Sequence, residues 1–381
     1  MKSFDIKTTI YFGENALDRL QSVECGRMML IADPFVVKSG MIRFLTDRLQ
    51  RVGRDYTVYD DIVPDPPIDK ITAGVKALLE CGADCIVAVG GGSAIDSAKG
   101  IREVARQMHP ESQIRLIAVP TTSGTGSEVT NFSVISDPEH NVKLPLVSDH
   151  LLPQEAILDV EMVKSVPPTV TADTGMDVFT HALESYVSTG NNEFSAALAE
   201  KAIEIFGAFM LRSFLDGNDT HARQKMHVAS CLAGIAFNAT GLGINHSLAH
   251  QLGAQFHIAH GRANAILLPL VIQYNSGISK HSRSQMEYPK QVKKYCTIAQ
   301  SLGLRNFNTI TTVRSLVSWV EYMMKEMDIP LCISELGICT REEYFARIPE
   351  MAEQAMLDAC TRTNPKHPEK ADLEKILVEA W

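Results

Sequence analysis

ADTGMDVFTHALESY (172–186) and, after a long helical span, GLGINHSLAHQLGAQFHIAHGRANAILLP (241–269) are the stretches on which the reading of this chain turns. Asp177 and His181 stand four residues apart, as do His246 and His250, and His260 follows ten residues later. On a helix, residues i and i+4 share a face, so each pair can aim two ligand atoms at one point. One carboxylate with several imidazoles suits a divalent transition metal such as iron or zinc better than calcium or magnesium. A single helical histidine is more often a surface or satisfied core residue. Spacing alone therefore leaves both readings open for these five residues. The stretch is no zincin motif, because Ser247 follows His246 where a general-base Glu would stand.

Upstream, short apolar runs alternate with amphipathic ones. RMMLIADP (27–34) reads as a buried strand ending at Asp33, and VVKSGMIRFLTDRLQRVG (36–53) as one helix closed by Gly53. DYTVYDDI (55–62), CIVAVGGG (85–92) and RLIAVPTT (115–122) read as further strands, with helices at 68–82 and 93–108 between them. Such alternation implies a parallel sheet with helical crossovers. FSVISDPEHNVKLPLVSD (132–149) reads as two β-like runs around an Asp-Pro turn, followed by the short strand AILD (156–159). Lys2 to Tyr11 is strand-like as well. Beyond Pro167 and Pro168 almost every segment is helical. The expected organisation is an α/β, Rossmann-like dinucleotide-binding domain over 1–162 and an all-helical domain over 163–381.

Gly90, Gly91, Gly92 and Ser93 lie at a strand-to-helix junction, where backbone N–H groups and the helix dipole favour a phosphate. The pattern is neither G-x-G-x-x-G nor a P-loop, and a glycine triplet is often only a tight turn. A second Gly/Thr/Ser loop, TTSGTGSE (121–128), follows a strand of the same set. Ligands of parallel sheets bind at the carboxyl ends of strands, so two such loops favour a dinucleotide. Asp33 suits an acceptor for an adenosine ribose and would repel a 2′-phosphate, favouring NAD over NADP. A plain strand-ending Asp beside Pro34 fits the sequence equally well.

The 381 residues exceed one ordinary domain, and 45% hydrophobic with 21% charged residues is the composition of a soluble enzyme. A net charge of −9 with no basic patch argues against nucleic acid as a partner. The opening MKSFDIKTTIYFG lacks an apolar core, so no secretory signal is expected, and AILLPLVI (265–272) is too short to span a bilayer. The eight cysteines form no C-x-x-C pair and read as reduced thiols in a cytoplasmic protein.

GGGSAIDSAK (90–99), PTTSGTGSE (120–128), TGMDVFTHALE (174–184) and the 241–269 stretch together resemble the iron-dependent, group III alcohol dehydrogenases over nearly the whole chain. Within that family the likeness is greatest to the branch serving propanediol-degrading bacterial microcompartments. VPDPPI (63–68), VISDPEHNVKLPL (134–146), KMHVASCLAGIAFN (225–238) and ARIPEM…TRTNP (346–365) carry that likeness. The resemblance implies the dehydroquinate-synthase-like fold of that family, with NAD(H) and Fe²⁺, or else Zn²⁺, as cofactors. It makes Asp177, His181, His246 and His260 the metal ligands, with His246 and His250 the catalytic histidines. His250 would relay a proton or touch substrate. Gly91, Gly92, Ser93 and Asp96 would hold the pyrophosphate, and Thr121, Thr122, Ser127 and Lys143 would surround ribose and nicotinamide, with Asp33 on the adenosine side. Asp65 departs from the Asn of many relatives, and His257 matches no family ligand.

The reaction so implied is metal-assisted hydride transfer between a short-chain primary alcohol and its aldehyde, propanal to 1-propanol in the useful direction. An aldehyde dehydrogenase using the returned NAD⁺, a microcompartment shell and a homodimer or larger homo-oligomer are the partners it implies. Ethanol- or diol-type dehydrogenases are the near alternatives, and a metal- and NAD-using lyase on the same scaffold is the alternative of another class. A binding or shell-associated role predicts a degraded site, which these ligand positions do not suggest.

Overall fold

Apolar runs that continue for six residues without alternation, such as CIVAVG at 85–90, belong in a sheet covered on both faces. The computed structural model places them there, and describes residues 3–64, 66–111, 113–137, 142–279, 290–304 and 308–381. The chain divides into two compact units, Met1–Val166 and Pro167–Trp381.

The first unit contains β1 (Thr9–Phe12), β2 (Arg27–Ala32), α1 (Pro34–Lys38), α2 (Arg43–Arg51), β3 (Asp55–Tyr59), α3 (Ile68–Cys81), β4 (Cys85–Gly90), α4 (Gly92–Met108), β5 (Arg115–Pro120), β6 (Phe132–Asp137), β7 (Val142–Val147) and β8 (Glu155–Leu158). Six strands form one parallel sheet in the order β1-β8-β5-β4-β2-β3, while β6 and β7 pair antiparallel apart from it. Successive residues of a strand face opposite sides. Met28 and Leu30 of β2 with Val87 and Val89 of β4 accordingly pack under Leu45 and Leu49 of α2. Met29, Ile31, Ile86 and Ala88 face Ile71 and Leu78 of α3 and Ile95 and Ile101 of α4 on the other side. From β2 the chain moves outward to β3, then returns to β4 on the opposite side and continues to β5. Winding reverses between β2 and β4, and the carboxyl ends of those strands are where a ligand of such a sheet binds.

The second unit is helical: α5 (Pro168–Val187), α6 (Glu193–Leu215), α7 (Thr220–Thr240), α8 (Ile244–Phe256), α9 (His260–Ser276), α10 (Lys290–Ser301), α11 (Thr309–Glu326), α12 (Arg341–Leu357) and α13 (Lys370–Ala380). α5 is buried on nearly every side, its polar Asp177, His181 and Glu184 included. Side-chain caps fix where neighbours begin: Asn192 with Ser195 opens α6, and Thr340 with Glu343 opens α12. Among the described residues no single helix is long and apolar enough to cross a membrane.

Three expectations shift. The helix expected over 36–53 is two, α1 and α2, because Gly40 turns the chain between them at φ +81. Only Thr9–Phe12 of the strand-like N-terminal stretch pairs in the sheet, followed by a 3₁₀ turn over Ala16–Ser22. Residues 163–166, expected to open the helical domain, stay with the first unit, where Val163 is buried and Ser165 Oγ donates to Met41 Sδ at 3.5 Å. Asp65 and the Pro138 of the Asp-Pro turn lie outside the described residues.

Candidate metal centre and cofactor loops

Three helices of the second unit each bring one edge to a common point. α5 presents Asp177 and His181 one turn apart, α8 presents His246 near its start, and α9 begins at His260. One ligand atom from each of these four residues lies within 4.8 Å of the others. Asp177 Oδ1 stands 3.5 Å from Nε2 of His246 and 3.5 Å from Nε2 of His260, and its Oδ2 is 3.8 Å from Nδ1 of His181. The His181 ring stacks between Phe237 and His246, at centroid distances of 4.4 and 4.5 Å. Asp177, His181 and His246 are buried, and His260 is exposed.

This close approach depends on Gly261. A Cβ there would lie 1.9 Å from the backbone oxygen of Asp173 on α5, which cannot yield as a flexible side chain could. α9 therefore reaches α5 only because the residue after His260 has no side chain.

Groups outside the four set their orientation. His246 Nδ1 pairs with Glu184 Oε2, whose other oxygen accepts from the Asn245 N–H at 2.8 Å in the first turn of α8. That bond directs Nε2 of His246 to the cluster, the arrangement that orients imidazole ligands of metals. Asn264, one turn after His260, donates Nδ2 to Asp177 Oδ1 at 2.8 Å, while its own Oδ1 accepts from Asn245 at 2.9 Å.

The electrostatics fit a cation. Burial alone would push the Asp177 carboxyl up, but His181, His260 and His246 outweigh it and hold it well below the usual carboxylate range. Burial would lower His246, yet Glu184 and Asp177 raise it to about 9. Both shifts favour positive charge beside Asp177, the condition a bound cation meets. One carboxylate and three imidazoles at this spacing can hold Fe²⁺ or Zn²⁺.

His250 stands apart from the four. Its Nδ1 is 2.7 Å from Asp358 Oδ2, and its ring lies parallel to His260 at 5.5 Å. His257 has φ +55 and caps the C-terminus of α8, a structural role. Glu184, Asn264 and Asp358 were missed in the sequence reading. The first two carried a signal, since Glu184 lies seven residues after Asp177 and Asn264 four after His260, on the faces already singled out. Asp358, distant in sequence, carried none.

In the first unit the two glycine-bearing loops meet. The Asp33 N–H donates to Val89 O at 2.9 Å and the Thr121 N–H to Gly90 O at 3.0 Å, so the ends of β2, β4 and β5 are bonded together. A Cβ on Gly90 would sit 2.6 Å from Cβ of Ala94 and 3.0 Å from Cβ of Asp33. No side chain caps α4, whose N-terminus opens at Gly91, Gly92 and Ser93, leaving first-turn N–H groups for an anion. Thr122 lies beside Gly91, its Oγ1 3.5 Å from where a Cβ would be. Asp33 Oδ1 accepts from the Phe35 N–H at 2.8 Å and so caps α1. Lys143 lies on β7 opposite Ser136.

Asp96 faces inward. It accepts from Ser127 Oγ at 2.6 Å and from the Val134 N–H at 3.1 Å. Lys99, fully buried, donates to Ser127 Oγ at 3.0 Å, Thr130 Oγ1 at 3.1 Å and Phe132 O at 2.8 Å. These bonds tie α4 to the loop after β5. Burial lowers Lys99 to about 8 and raises the neighbouring Glu128 carboxyl to about 7.

Residues 7–160 match the family described as iron-containing alcohol dehydrogenase, and residues 171–381 the C-terminal part of the Fe-containing alcohol dehydrogenase family. The chain belongs to the iron-containing alcohol dehydrogenases. It is 40% identical to the 1-propanol dehydrogenase PduQ of Citrobacter freundii, covering 100% of each chain. It is 35% identical to the NADPH-dependent butanol dehydrogenase of Clostridium saccharobutylicum, covering 99% of this chain and 97% of that one. Its fold is similar to a crystal structure of 1,3-propanediol oxidoreductase, with TM-score 0.90, 29% identity and 100% of both chains covered. The iron-containing alcohol dehydrogenase of Thermococcus thioreducens is similar at TM-score 0.87 and 28% identity, with 99% of each chain covered.

Two outcomes are expected of this alcohol dehydrogenase. Gly261→Ala destabilises it by about 1–3 kcal/mol in urea unfolding and lowers iron content measured by atomic absorption. Glu128 ionises near pH 4.5 when unfolded but near 7 when folded. The unfolded chain therefore gains on ionisation first, and stability falls as pH rises from about 4.5 to 7. Measured against Glu128→Gln over that range, the wild type loses up to about 3 kcal/mol, whereas a constant difference would show that Glu128 titrates normally.

Proposed function

We propose that this oxidoreductase interconverts propanal and 1-propanol, with NAD(H) as redox partner and one Fe²⁺ held by Asp177, His181, His246 and His260. The observation that carries the reading is the convergence of these four side chains in a chain similar, end to end, to a 1-propanol dehydrogenase. The first unit binds the cofactor and the helical unit binds the metal. When bound, Fe²⁺ supplies a Lewis acid for the substrate oxygen, and the nicotinamide gives or takes a hydride.

The chain's own residues do the rest. Glu184 keeps Nε2 of His246 available by occupying Nδ1. Asn264 holds Asp177 in place. First-turn N–H groups at Gly91, Gly92 and Ser93 bind the pyrophosphate, and Thr121, Thr122, Ser127 and Lys143 line the ribose and nicotinamide side. Ser127 does so indirectly, since its hydroxyl is held between Asp96 and Lys99. Asp33, at the end of β2, accepts from the adenosine ribose and disfavours a 2′-phosphate. His250 exchanges the substrate proton with solvent.

The working direction is aldehyde reduction, returning NAD⁺ to an aldehyde dehydrogenase beside it within a propanediol-degrading microcompartment. The enzyme works there as a homodimer or larger homo-oligomer.

Anaerobically purified protein is expected to oxidise NADH with propanal, and NADPH at least tenfold more slowly. Chelation removes iron and activity together, and Fe²⁺ restores both. His246→Ala lowers metal content and cuts kcat/KM by at least about 100-fold. Turnover that survives complete metal loss would overturn the metal assignment, and absence of net NADH consumption at any metal loading would overturn the dehydrogenase reading.

A further inference from the structure

The contact between His250 and Asp358 is a histidine–carboxylate pair at the cluster's margin that the metal assignment leaves unused. His250 lies one turn beyond His246 on α8, with its ring parallel to that of His260 at an interplanar angle of 16°. Asp358 follows α12 directly, and its two oxygens do different things. Oδ1 accepts from the Cys360 N–H at 2.8 Å and caps the 3₁₀ turn Ala359–Thr363, while Oδ2 takes Nδ1 of His250 at 2.7 Å. The turn is itself pinned, because Thr361 Oγ1 donates to Ser247 Oγ at 2.7 Å or to Ala355 O at 2.6 Å. The carboxylate therefore sits on a fixed mount, not a mobile tip. Side-chain exposure is 17% for Asp358 and 41% for His250, so the pair is sheltered on the acid side and open to water on the imidazole side.

We propose that Asp358 is the positioning residue of a proton-transfer pair with His250, holding the proton on Nδ1 so that Nε2 is the nitrogen that exchanges it. This rests on the reading of His250 as the group that carries the substrate proton. In alcohol oxidation the substrate O–H bond breaks, and Nε2 takes the proton. The carbon gives up its hydride to NAD⁺, so the alcohol loses two electrons and the nicotinamide gains them. The imidazolium then releases the Nε2 proton to water, and Nδ1–H stays on Asp358 throughout. Aldehyde reduction runs the same steps backwards. A carboxylate against Nδ1 supports both stages: it selects the tautomer with a free Nε2 lone pair and stabilises the cation that forms. Burial would push Asp358 up, but the His250 ring and the Cys360 N–H outweigh that and hold it at about 2.

Asp358→Asn is the informative variant. An amide can still accept from the Cys360 N–H through its oxygen, so the turn survives. Its nitrogen now faces Nδ1 as a donor and forces the proton to Nε2. Measured on the iron-loaded full-length enzyme with propanal and NADH, kcat is expected to fall about 10- to 100-fold. KM for propanal should stay within about twofold, iron content and Tm should be unchanged, and the solvent deuterium isotope effect on kcat should rise. His250→Ala should fall at least as far, and the double variant should be no slower than His250→Ala alone. Wild-type kcat in Asp358→Asn, or additive losses in the double variant, would overturn the positioning role while leaving His250 as proton carrier. If His250→Ala keeps wild-type kcat, the proton-carrier reading itself falls, and the pair with it.

Discussion

A buried carboxylate ringed by imidazoles is the constraint the helical unit is built around. Asp177 is 3% exposed, and an unpaired ionised carboxylate at that depth would cost several kcal/mol. It is kept ionised by His181 from its own helix, His246 from α8, His260 from α9 and the amide of Asn264. Three helices must therefore converge to within a few ångströms of one oxygen pair, and most of what is unusual in their sequences serves that demand. Gly261 lets α9 reach α5, and Glu184 and Asn245 tie the first turn of α8 back to α5. The apolar packing around α5 supplies the stability against which this polar knot is held.

The α/β unit solves a different problem with similar means. A bare helix N-terminus is needed at the reversal of winding between β2 and β4, yet the loops around it must not collapse into it. Glycines keep the backbone close, and the buried chain of Lys99, Ser127 and Asp96 ties the loop after β5 to the second turn of α4. Both Asp96 oxygens are engaged in that internal bracing, one with the Ser127 hydroxyl and one with the Val134 N–H. The residues proposed to bind and the residues that brace thus share one motif.

That sharing sets how far the sequence could be read. Strands β2 to β5 were legible because unbroken apolar runs between helical periods have few other uses, and the Asp177/His181 and His246 pairings were legible because a helix turns a spacing of four into proximity. Glu184 sits within the same motif, but a glutamate on a helix reads by default as a solvated charge. Gly40 was read through as part of a helix, although its left-handed backbone ends one. Asp358 had no local signal at all. Its partner His250 lies 108 residues away, and only the packing of α12 and the turn after it against α8 brings them together.

The two histidines one turn apart on α8 then illustrate how a fold divides one side-chain chemistry into two tasks. Each sets Nδ1 against a carboxylate, Glu184 for His246 and Asp358 for His250, and Nε2 of His246 is turned to Asp177 Oδ1 and the Asn264 amide. What differs is depth. Side-chain exposure is 1% at His246 and 4% at Glu184, a site where water cannot compete for the nitrogen and a ligand to an ion can be held. At His250 it is 41%, where exchange with solvent is open. On the proposed roles, the same kind of bond at Nδ1 would serve a held ligand at His246 and a proton carrier at His250, with depth separating the two.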